Sequence, residues 1–106
     1  RPAEGRRGDP VEIEELRIDP REVQAYVDGR NAGLTPTEFK LLYTLALDRG
    51  RVVTRDELLQ KVWGRRETHR DRTVDVFVRR LRQKIDHGFA TPLLHTVRGA
   101  GYRLGS

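Results

Sequence analysis

Residues 72–84, RTVDVFVRRLRQK, constrain the fold of this chain most, because they predict a helix with two chemically different faces. At roughly 100° per residue, four aliphatic side chains fall along one narrow stripe: Val74, Val78, Leu81 and Ile85. The opposite side carries three arginines, a valine and a glutamine: Arg72, Val76, Arg79, Arg80 and Gln83. We expect the stripe to be buried in a domain and the arginine face to point away from it.

The exposed face of this helix is almost purely cationic. Asp75 is the only acid from Arg72 to Lys84, so most of the cations lack a carboxylate partner on the helix. Guanidinium groups fit phosphate oxygens and the O6/N7 edge of guanine, and an exposed valine fits a thymine methyl. The ordinary interpretation of such a run is a solvated charged face. The lack of acids favours a polyanionic partner instead.

Charge is unevenly distributed along the chain. Residues 1–53 hold 9 Lys and Arg against 10 Asp and Glu, whereas residues 54–106 hold 12 against 6. The first half therefore has a net charge of −1 and the second a net charge of +6. A basic region of this kind binds phosphates with release of counterions. An interfacial membrane helix would show bulky aromatic residues, and this stripe is Val, Leu and Ile, so nucleic acid is favoured over lipid.

Length and composition indicate a single domain of 106 residues without cysteine, which excludes disulfides and thiolate metal sites and suits a reducing cytoplasm. No segment approaches the roughly 20 apolar residues needed to cross a bilayer, and no signal peptide is visible. Because the chain begins with Arg1, we expect a fragment whose N-terminal partner domain is missing.

The first third of the chain predicts a tail followed by a small antiparallel sheet. Residues 1–10 combine Pro, Gly and charge and indicate a flexible linker, so the domain is expected to span 11–106. Apolar residues then alternate with polar ones in three short segments: Val11 and Ile13; Leu16 and Ile18; Val23, Ala25 and Val27. Asp19-Pro20 and Asp28-Gly29 are placed where turns are expected.

Three helices are predicted next, two of them with capping boxes. Thr35, Pro36 and Glu38 provide an N-cap, a first helical proline and a returning glutamate. This helix should run to about Asp48 and bury three side chains: Phe39, Leu42 and Leu45. Thr54 and Glu57 repeat the box and open a helix through Trp63 that Gly64 ends. The third helix should follow Asp71 as N-cap and end before Gly88.

The end of the chain predicts a hairpin. Residues 93–97 and 102–104 flank Arg98-Gly99-Ala100-Gly101, a turn that needs the backbone freedom of glycine and carries Arg98 at its tip. A helix pair followed by a hairpin with a basic tip is a winged helix-turn-helix, in which the second helix of the pair enters the major groove. The predicted class is α+β: an N-terminal antiparallel sheet, three helices and a C-terminal wing.

Residues for metal binding or catalysis are not assembled in this sequence. The histidines at 69, 87 and 95 have neither metal-ligand spacing nor cysteine companions. Ser106, the only serine, ends the chain, and no carboxylates cluster as a two-metal nuclease requires. We therefore expect no enzyme activity, no metal and no cofactor.

Four runs carry a family resemblance: LTPTEFKLL (34–42), GRVVTRDELLQKVWG (50–64), RTVDVFVRRLRQKI (72–85) and TVRGAGYRL (96–104). From Val11 onward the chain closely resembles the DNA-binding effector domain of OmpR/PhoB-type response regulators. The resemblance implies a phosphorylatable receiver domain upstream of the linker. It also implies binding to tandem head-to-tail direct repeats in double-stranded DNA and contact with RNA polymerase.

The resemblance also implies roles for individual residues. Arg80 would be the principal reader of bases, and the set at the floor of the major groove would be Arg72, Thr73, Val76 and Arg80. Phosphate contacts would come from Trp63, Arg79, Arg82 and Thr96. Arg98 would enter the minor groove from the wing. The loop that touches polymerase would be Arg65, Arg66, Glu67, Thr68, His69 and Arg70. The helical periodicity supports four of these independently: Arg72, Val76, Arg79 and Arg80.

Two aromatic residues leave alternatives open. Phe77 stands where some family members have a polar, DNA-touching residue such as histidine, and a phenylalanine cannot donate a hydrogen bond to phosphate. Packing at the edge of the core is the alternative for Phe77. Trp63 could equally complete the core while its indole N–H finds another partner.

The leading hypothesis is a sequence-specific, double-stranded DNA-binding domain of a bacterial two-component transcriptional regulator, monomeric in isolation and pairing on DNA. The alternative is a protein-interaction module in which the basic face and the 65–70 loop dock an acidic protein. The two differ in whether a repeated duplex site is preferred over scrambled DNA.

Overall fold

A computed structural model describes residues 8–64, 73–86 and 92–105 of the chain. These residues form a four-stranded antiparallel sheet, then three helices, then a two-stranded hairpin. The predicted α+β winged helix-turn-helix class is therefore confirmed. Residues 1–7 of the expected linker lie outside the described residues.

The N-terminal sheet is a meander of β1 (Val11–Ile13), β2 (Leu16–Asp19), β3 (Gln24–Val27) and β4 (Arg30–Asn31). Ile18 pairs with Ala25, and both side chains are completely buried. The predicted turn at Asp28-Gly29 is confirmed, with φ of 51° and 83° joining β3 to β4. β4 has no signal in the sequence, because Arg30 and Asn31 are polar and exposed.

The prediction that Val23 belongs to a strand is wrong. Its φ is 54° and its side chain is 41% exposed. The Asp19 carboxylate accepts hydrogen bonds from the amides of Arg21 (3.0 Å) and Glu22 (3.4 Å), which closes a turn after β2. Because that turn occupies residues 20–23, β3 starts only at Gln24.

Helix α1 (Pro36–Leu47) confirms the first capping box. The Glu38 amide donates to Thr35 Oγ1 at 3.2 Å, and the Thr35 amide donates to Glu38 Oε1 at 2.9 Å. Asp48 is the C-cap residue. The helix buries the three predicted side chains and adds Leu41, Ala46 and Glu38 to the buried set.

Helix α2 (Arg55–Leu58) confirms the second capping box, with both of its hydrogen bonds at 3.0 Å. It continues as a π-helical segment, Leu59–Trp63, which ends at Gly64 with φ of 74°. The predicted helix through Trp63 that Gly64 ends is thus confirmed in its bounds, while its second half is π-helical and not α-helical. Periodicity could not show this, because the apolar residues of this segment would share one side of an α-helix as well.

Helix α3 (Thr73–Ile85) packs on α1 and contacts α2, and its predicted end before Gly88 is confirmed. Its predicted N-cap, Asp71, lies outside the described residues. Lys84 Nζ donates to Glu38 Oε1 at 2.6 Å and to the Gly33 carbonyl at 3.0 Å, which ties the end of α3 to the start of α1. The core of the domain contains completely buried side chains from several elements: Leu16, Leu41, Leu45, Leu58, Leu81 and Ile85.

The wing is formed by β5 (Leu94–Val97) and β6 (Gly101–Leu104), so the predicted strands begin one residue too early and one too late, respectively. Gly101 pairs with Val97 and has a φ of 153°. A Cβ on Gly101 would lie 2.1 Å from the carbonyl oxygen of Val53. That close approach allows Val53 to exchange two backbone hydrogen bonds with Tyr102, 2.7 and 2.9 Å long, which fixes the wing beside the start of α2.

Candidate nucleic-acid interface

Helix α3 presents the two faces that its sequence predicts. The aliphatic stripe is buried to 1% exposure or less: Val74, Val78, Leu81 and Ile85. On the other side Val76 is 42% exposed, and Arg79, Arg80 and Gln83 are also exposed. The stripe anchors the helix through apolar burial, so the opposite face is presented to solvent by a rigid element.

The arginines of this face carry unneutralised positive charge. In residues 8–64, 73–86 and 92–105, neither Arg79 nor Arg80 has a carboxylate within ion-pair distance. Asp75, the one acid of α3, faces elsewhere: it accepts hydrogen bonds from Arg55 Nε at 2.9 Å and from the Tyr102 hydroxyl. The guanidinium groups of Arg79 and Arg80 are therefore available to an anion from outside the chain.

Asp75 joins α3, α2 and the wing through one cluster. Its hydrogen bond from Arg55 raises the pKa of that guanidinium above its ordinary value, so Arg55 stays charged. Burial and the hydrogen bond to Asp75 raise the pKa of Tyr102, so the phenol stays protonated and acts as donor. Tyr102 is buried and forms part of the core on the side of the wing.

Arg55 lies at a surface cleft that the sequence does not reveal. The cleft separates the first turn of α2 from the wing and is lined by Thr54, Arg55, Asp56, Thr96, Arg98 and Tyr102, among others. No binding role is predicted for Arg55 from its sequence, because the capping box of Thr54 and Glu57 accounts for the residues around it. Only the pairing of Val53 with Tyr102, a contact distant in sequence, brings Arg55 beside the wing.

Trp63 and Phe77 pack against each other between α2 and α3. Their rings meet edge to face, with centroids 5.3 Å apart and planes at 65°. Both side chains are half-buried against the core. Packing at the edge of the core is thus the outcome for Phe77. Trp63 contributes to the same packing, and its expected phosphate contact stays a prediction.

Arg82 is held within the protein. Its Nε donates to the Leu94 carbonyl at 3.1 Å, and a terminal nitrogen of the same guanidinium donates to Thr96 Oγ1. The guanidinium also lies 5.9 Å from the centroid of the Tyr102 ring. Two residues expected to contact phosphates, Arg82 and Thr96, are therefore bonded to each other and connect α3 to the wing.

The remaining predicted site residues fall into two groups. Thr73 lies half-buried in the first turn of α3, and Arg98 is exposed in the turn of the wing, where the Ala100 amide donates to the Val97 carbonyl at 2.9 Å. Arg72 and the expected polymerase loop, residues 65–70, lie outside the described residues. Trp63 and the wing thus both contact α3, through Phe77 and through Arg82, respectively.

The described residues offer neither a metal centre nor a membrane-spanning helix. Over the described ranges, no three His, Cys, Asp or Glu side chains are grouped as metal ligands would be. In the part of the chain that the structure describes, no helix has the length and apolar character to cross a bilayer.

Comparison with known proteins identifies the family. Residues 29–104, well over half of the chain, match the family described as "Transcriptional regulatory protein, C terminal". This chain belongs to that family. It is an OmpR/PhoB-type C-terminal effector domain, and the family is one of DNA-binding transcription regulators and not of enzymes.

Curated relatives support the same assignment. The chain is 42% identical over 97 residues to the transcriptional regulatory protein CpxR of Escherichia coli, covering 91% of this chain and 42% of CpxR. It is 39% identical over 97 residues to the phosphate regulon transcriptional regulatory protein PhoB of Pseudomonas aeruginosa, covering 92% of this chain and 42% of PhoB. The chain thus spans about two-fifths of the length of these relatives.

Solved structures share the fold of this effector domain. The DNA-binding domain of CpxR from E. coli matches with a TM-score of 0.85 and 39% identity, covering 92% of this chain and 97% of that one. The DNA-binding domain of Klebsiella pneumoniae RstA, solved in complex with the RstA box, matches with a TM-score of 0.83 and 34% identity, over the same shares.

Proposed function

We propose that this effector domain binds double-stranded DNA sequence-specifically as part of a bacterial two-component transcriptional regulator. Helix α3 enters the major groove and the wing reaches the minor groove. The observation that carries the proposal is the exposed face of α3, on which Arg79 and Arg80 lack carboxylate partners in the described chain while the opposite stripe is buried. The RstA domain solved with its DNA box supports it by relationship.

Each part of this face has a chemical role in the proposal. Arg80 reads a guanine through two parallel hydrogen bonds, and Val76 lies against a thymine methyl. Arg72 and Thr73 border the same groove floor. Arg79 binds a backbone phosphate, as do Trp63, Arg82 and Thr96 at the margins, and Arg98 enters the minor groove.

The wider setting is proposed from family membership. The domain extends over 11–106 behind a flexible linker at 1–10, and a receiver domain precedes it in a cytoplasmic regulator. Two copies, monomeric in isolation, bind tandem direct repeats, and the loop at 65–70 contacts RNA polymerase. The share of the relatives that this chain covers is consistent with an additional domain in the full regulator.

Selection of binding sites from random duplexes tests the proposal directly. We expect a short motif to be enriched and to appear twice in the same orientation. The selected duplex should compete at least about a thousandfold better than a scrambled duplex of equal length, as for specific DNA-binding proteins in general. For variants of the interface arginines, such as Arg80→Ala, the charge-matched control is Arg21→Ala. Arg21 is 76% exposed in the loop between β2 and β3, on the N-terminal sheet.

The protein-interaction module predicts a different result in the same experiment. A basic face that docks an acidic protein would bind any duplex through phosphates, with an affinity that falls with salt equally for all sequences. Failure to enrich a motif, together with equal binding of selected and scrambled duplexes, would reject the DNA-binding proposal.

A further inference from the structure

Phe77 contacts two other residues of the proposed interface. Its ring meets Trp63 edge to face, with centroids 5.3 Å apart. The guanidinium carbon of Arg80 lies over the Phe77 ring, 5.2 Å from its centroid. A cation within about 6 Å of an aromatic centroid is attracted by the negative face of the ring.

The geometry follows from the positions of the residues on α3. Arg80 is three residues after Phe77, so the two are neighbours on the helix surface. Long helical side chains lean toward the N-terminus, which brings the Arg80 guanidinium back over residue 77. The Phe77 ring is half-buried and braced by Trp63 from the preceding helical element, so it is a fixed platform for a long side chain.

Stacking on a ring restricts a guanidinium without using its hydrogen bonds. The ring contacts the face of the cation, whereas the N–H donors point outward in the plane of the fork. Arg82 is restrained differently, because two of its donors are bonded to Leu94 and Thr96. In the described part of the chain Arg80 has no hydrogen bond or ion pair that would compete with a base.

We propose that Phe77 is a specificity-determining positioning residue: it holds the Arg80 guanidinium over the face of α3 before DNA is bound. This inference rests on the proposed function. A flexible arginine loses rotamer freedom when it binds a base in a fixed bidentate geometry. A platform that restricts Arg80 in advance reduces that loss, so Phe77 increases affinity only where Arg80 makes its base contact.

Fluorinated phenylalanines at position 77 test this inference. Successive fluorines keep the shape of the ring nearly unchanged, while they weaken and finally reverse the negative electrostatic potential of its face. From phenylalanine through 3,4,5-trifluorophenylalanine to pentafluorophenylalanine, we expect binding to the selected duplex to weaken stepwise by about two- to fivefold in total, the strength of an exposed cation–π contact. Binding to a duplex with the contacted guanine replaced should not change.

The same series in an Arg80→Ala background separates the possible causes. If Phe77 acts through Arg80, fluorination should have no effect on DNA binding in that background. A trend that persists there would mean that the ring acts through Trp63 or on DNA directly, and would overturn the inference. Pentafluorophenylalanine at position 39 is the matched control, because Phe39 stacks on Tyr43 at 5.6 Å and neither ring is paired with a cation from the residues that the structure describes.

Replacement of Phe77 by other natural amino acids provides a second measurement. Phe77→Leu keeps apolar volume without a ring face and should lower discrimination for the guanine by the same two- to fivefold factor, whereas Phe77→Tyr should retain it. If the unmodified domain discriminates between duplexes but all Phe77 variants discriminate equally well, only the positioning role fails. If the unmodified domain shows no discrimination, the proposed function fails first.

Discussion

Arg79 and Arg80 are adjacent in sequence and both exposed, yet their surroundings differ. Arg80 lies over the Phe77 ring and is proposed to read a base. Among the described residues Arg79 is paired with no aromatic ring, and it is proposed to bind a phosphate. Contacts to bases carry sequence information, whereas contacts to phosphates fix position and respond to salt. The pair therefore allows specificity and affinity to be measured separately on one helix.

Replacing Arg80 with alanine should relax specificity. We expect Arg80→Ala to weaken binding to the selected duplex by about 1–3 kcal/mol and to abolish preference at one guanine. Arg79→Ala should weaken binding to all duplexes alike and make the slope of log K against log salt shallower by about one unit. Titrations at several salt concentrations measure both quantities. Unchanged base preference in Arg80→Ala would contradict the assignment.

Several outcomes for individual residues could be predicted from sequence and others could not. The exposure of Val76, Arg79 and Arg80 follows from helical periodicity alone, because the stripe on the other side is continuous. The bond of Arg82 to Thr96 could not be predicted, since it joins residues 14 positions apart through the packing of α3 on the wing. Val23 was misassigned because the capping of a turn by Asp19 leaves no apolar pattern.

At the scale of elements, α3 is fixed to its neighbours by side chains near both of its ends. Asp75 connects its first turns to Arg55 of α2 and Tyr102 of the wing. Arg82 connects its last turns to β5, and Lys84 connects them to α1. These hydrogen bonds orient α3 relative to its neighbours, whereas the stability of the packing comes from apolar burial. The links from Asp75 and Arg82 hold α3 against the wing, and so bear on the spacing of the two proposed groove contacts.

Arg82 should stabilise the domain in the absence of DNA. We expect Arg82→Ala to lower the free energy of unfolding by about 1–2 kcal/mol, because hydrogen bonds from a charged donor to Leu94 and Thr96 are lost. Arg79→Ala is the matched control on the same helix and should stay within about 0.5 kcal/mol of the unmodified domain. Urea unfolding of both variants measures the difference. Equal stabilities would show that Arg82 is not a structural link.

Lys84 should make stability dependent on pH through Glu38. Burial alone would raise the pKa of Glu38, but hydrogen bonds from Lys84 and Thr35 bring it below its ordinary 4.5. The ionised glutamate thus stabilises the fold above that value, and its contribution is lost as pH falls through the lowered pKa. Lys84→Met should cost about 1–3 kcal/mol at neutral pH, because a buried carboxylate loses its partner.

The difference between Lys84→Met and the unmodified domain should shrink on acidification, once Glu38 is protonated in both. Urea unfolding at neutral pH and at about pH 3 measures this change. Lys61→Met is the control, because Lys61 is half-exposed and lies 3.7 Å from Asp48, so it should cost at most about 1 kcal/mol. A difference that is the same at both pH values would exclude Glu38 as its source.

The helices were more predictable than their geometry. Both capping boxes are local, so Thr35 and Thr54 mark the starts of α1 and α2 in the sequence as they do in the structure. The π-helical segment Leu59–Trp63 and the short strand β4 have no comparable local signal. The arrangement of the interface depends on contacts between elements that are distant in sequence. Only the family resemblance indicated this arrangement.

The size of the domain bears on the proposed tandem binding. Its longest axis measures 38 Å, and a helical turn of B-DNA measures about 34–36 Å over 10–10.5 base pairs. If this axis lies along the duplex, two copies bound head to tail on adjacent turns would touch each other. The net charge of +6 in residues 54–106 would favour binding of both copies to the DNA phosphates, whereas without DNA the same charge makes the copies repel each other.

Changing the spacing of the two repeats should separate binding from cooperation. Inserting about five base pairs rotates the second site by half a turn, so a second copy binds the opposite face of the duplex and cannot contact the first. We expect each single site to keep its affinity while the cooperativity of the tandem site is lost. Titrations of the two-site duplex, with and without the insertion, measure the cooperativity from the populations with one and two copies bound.

Cooperativity that survives the insertion would mean that contact between copies on one face of the duplex is not the cause of the cooperativity. A duplex lengthened by the same five base pairs outside the repeats is the control and should bind as the original does.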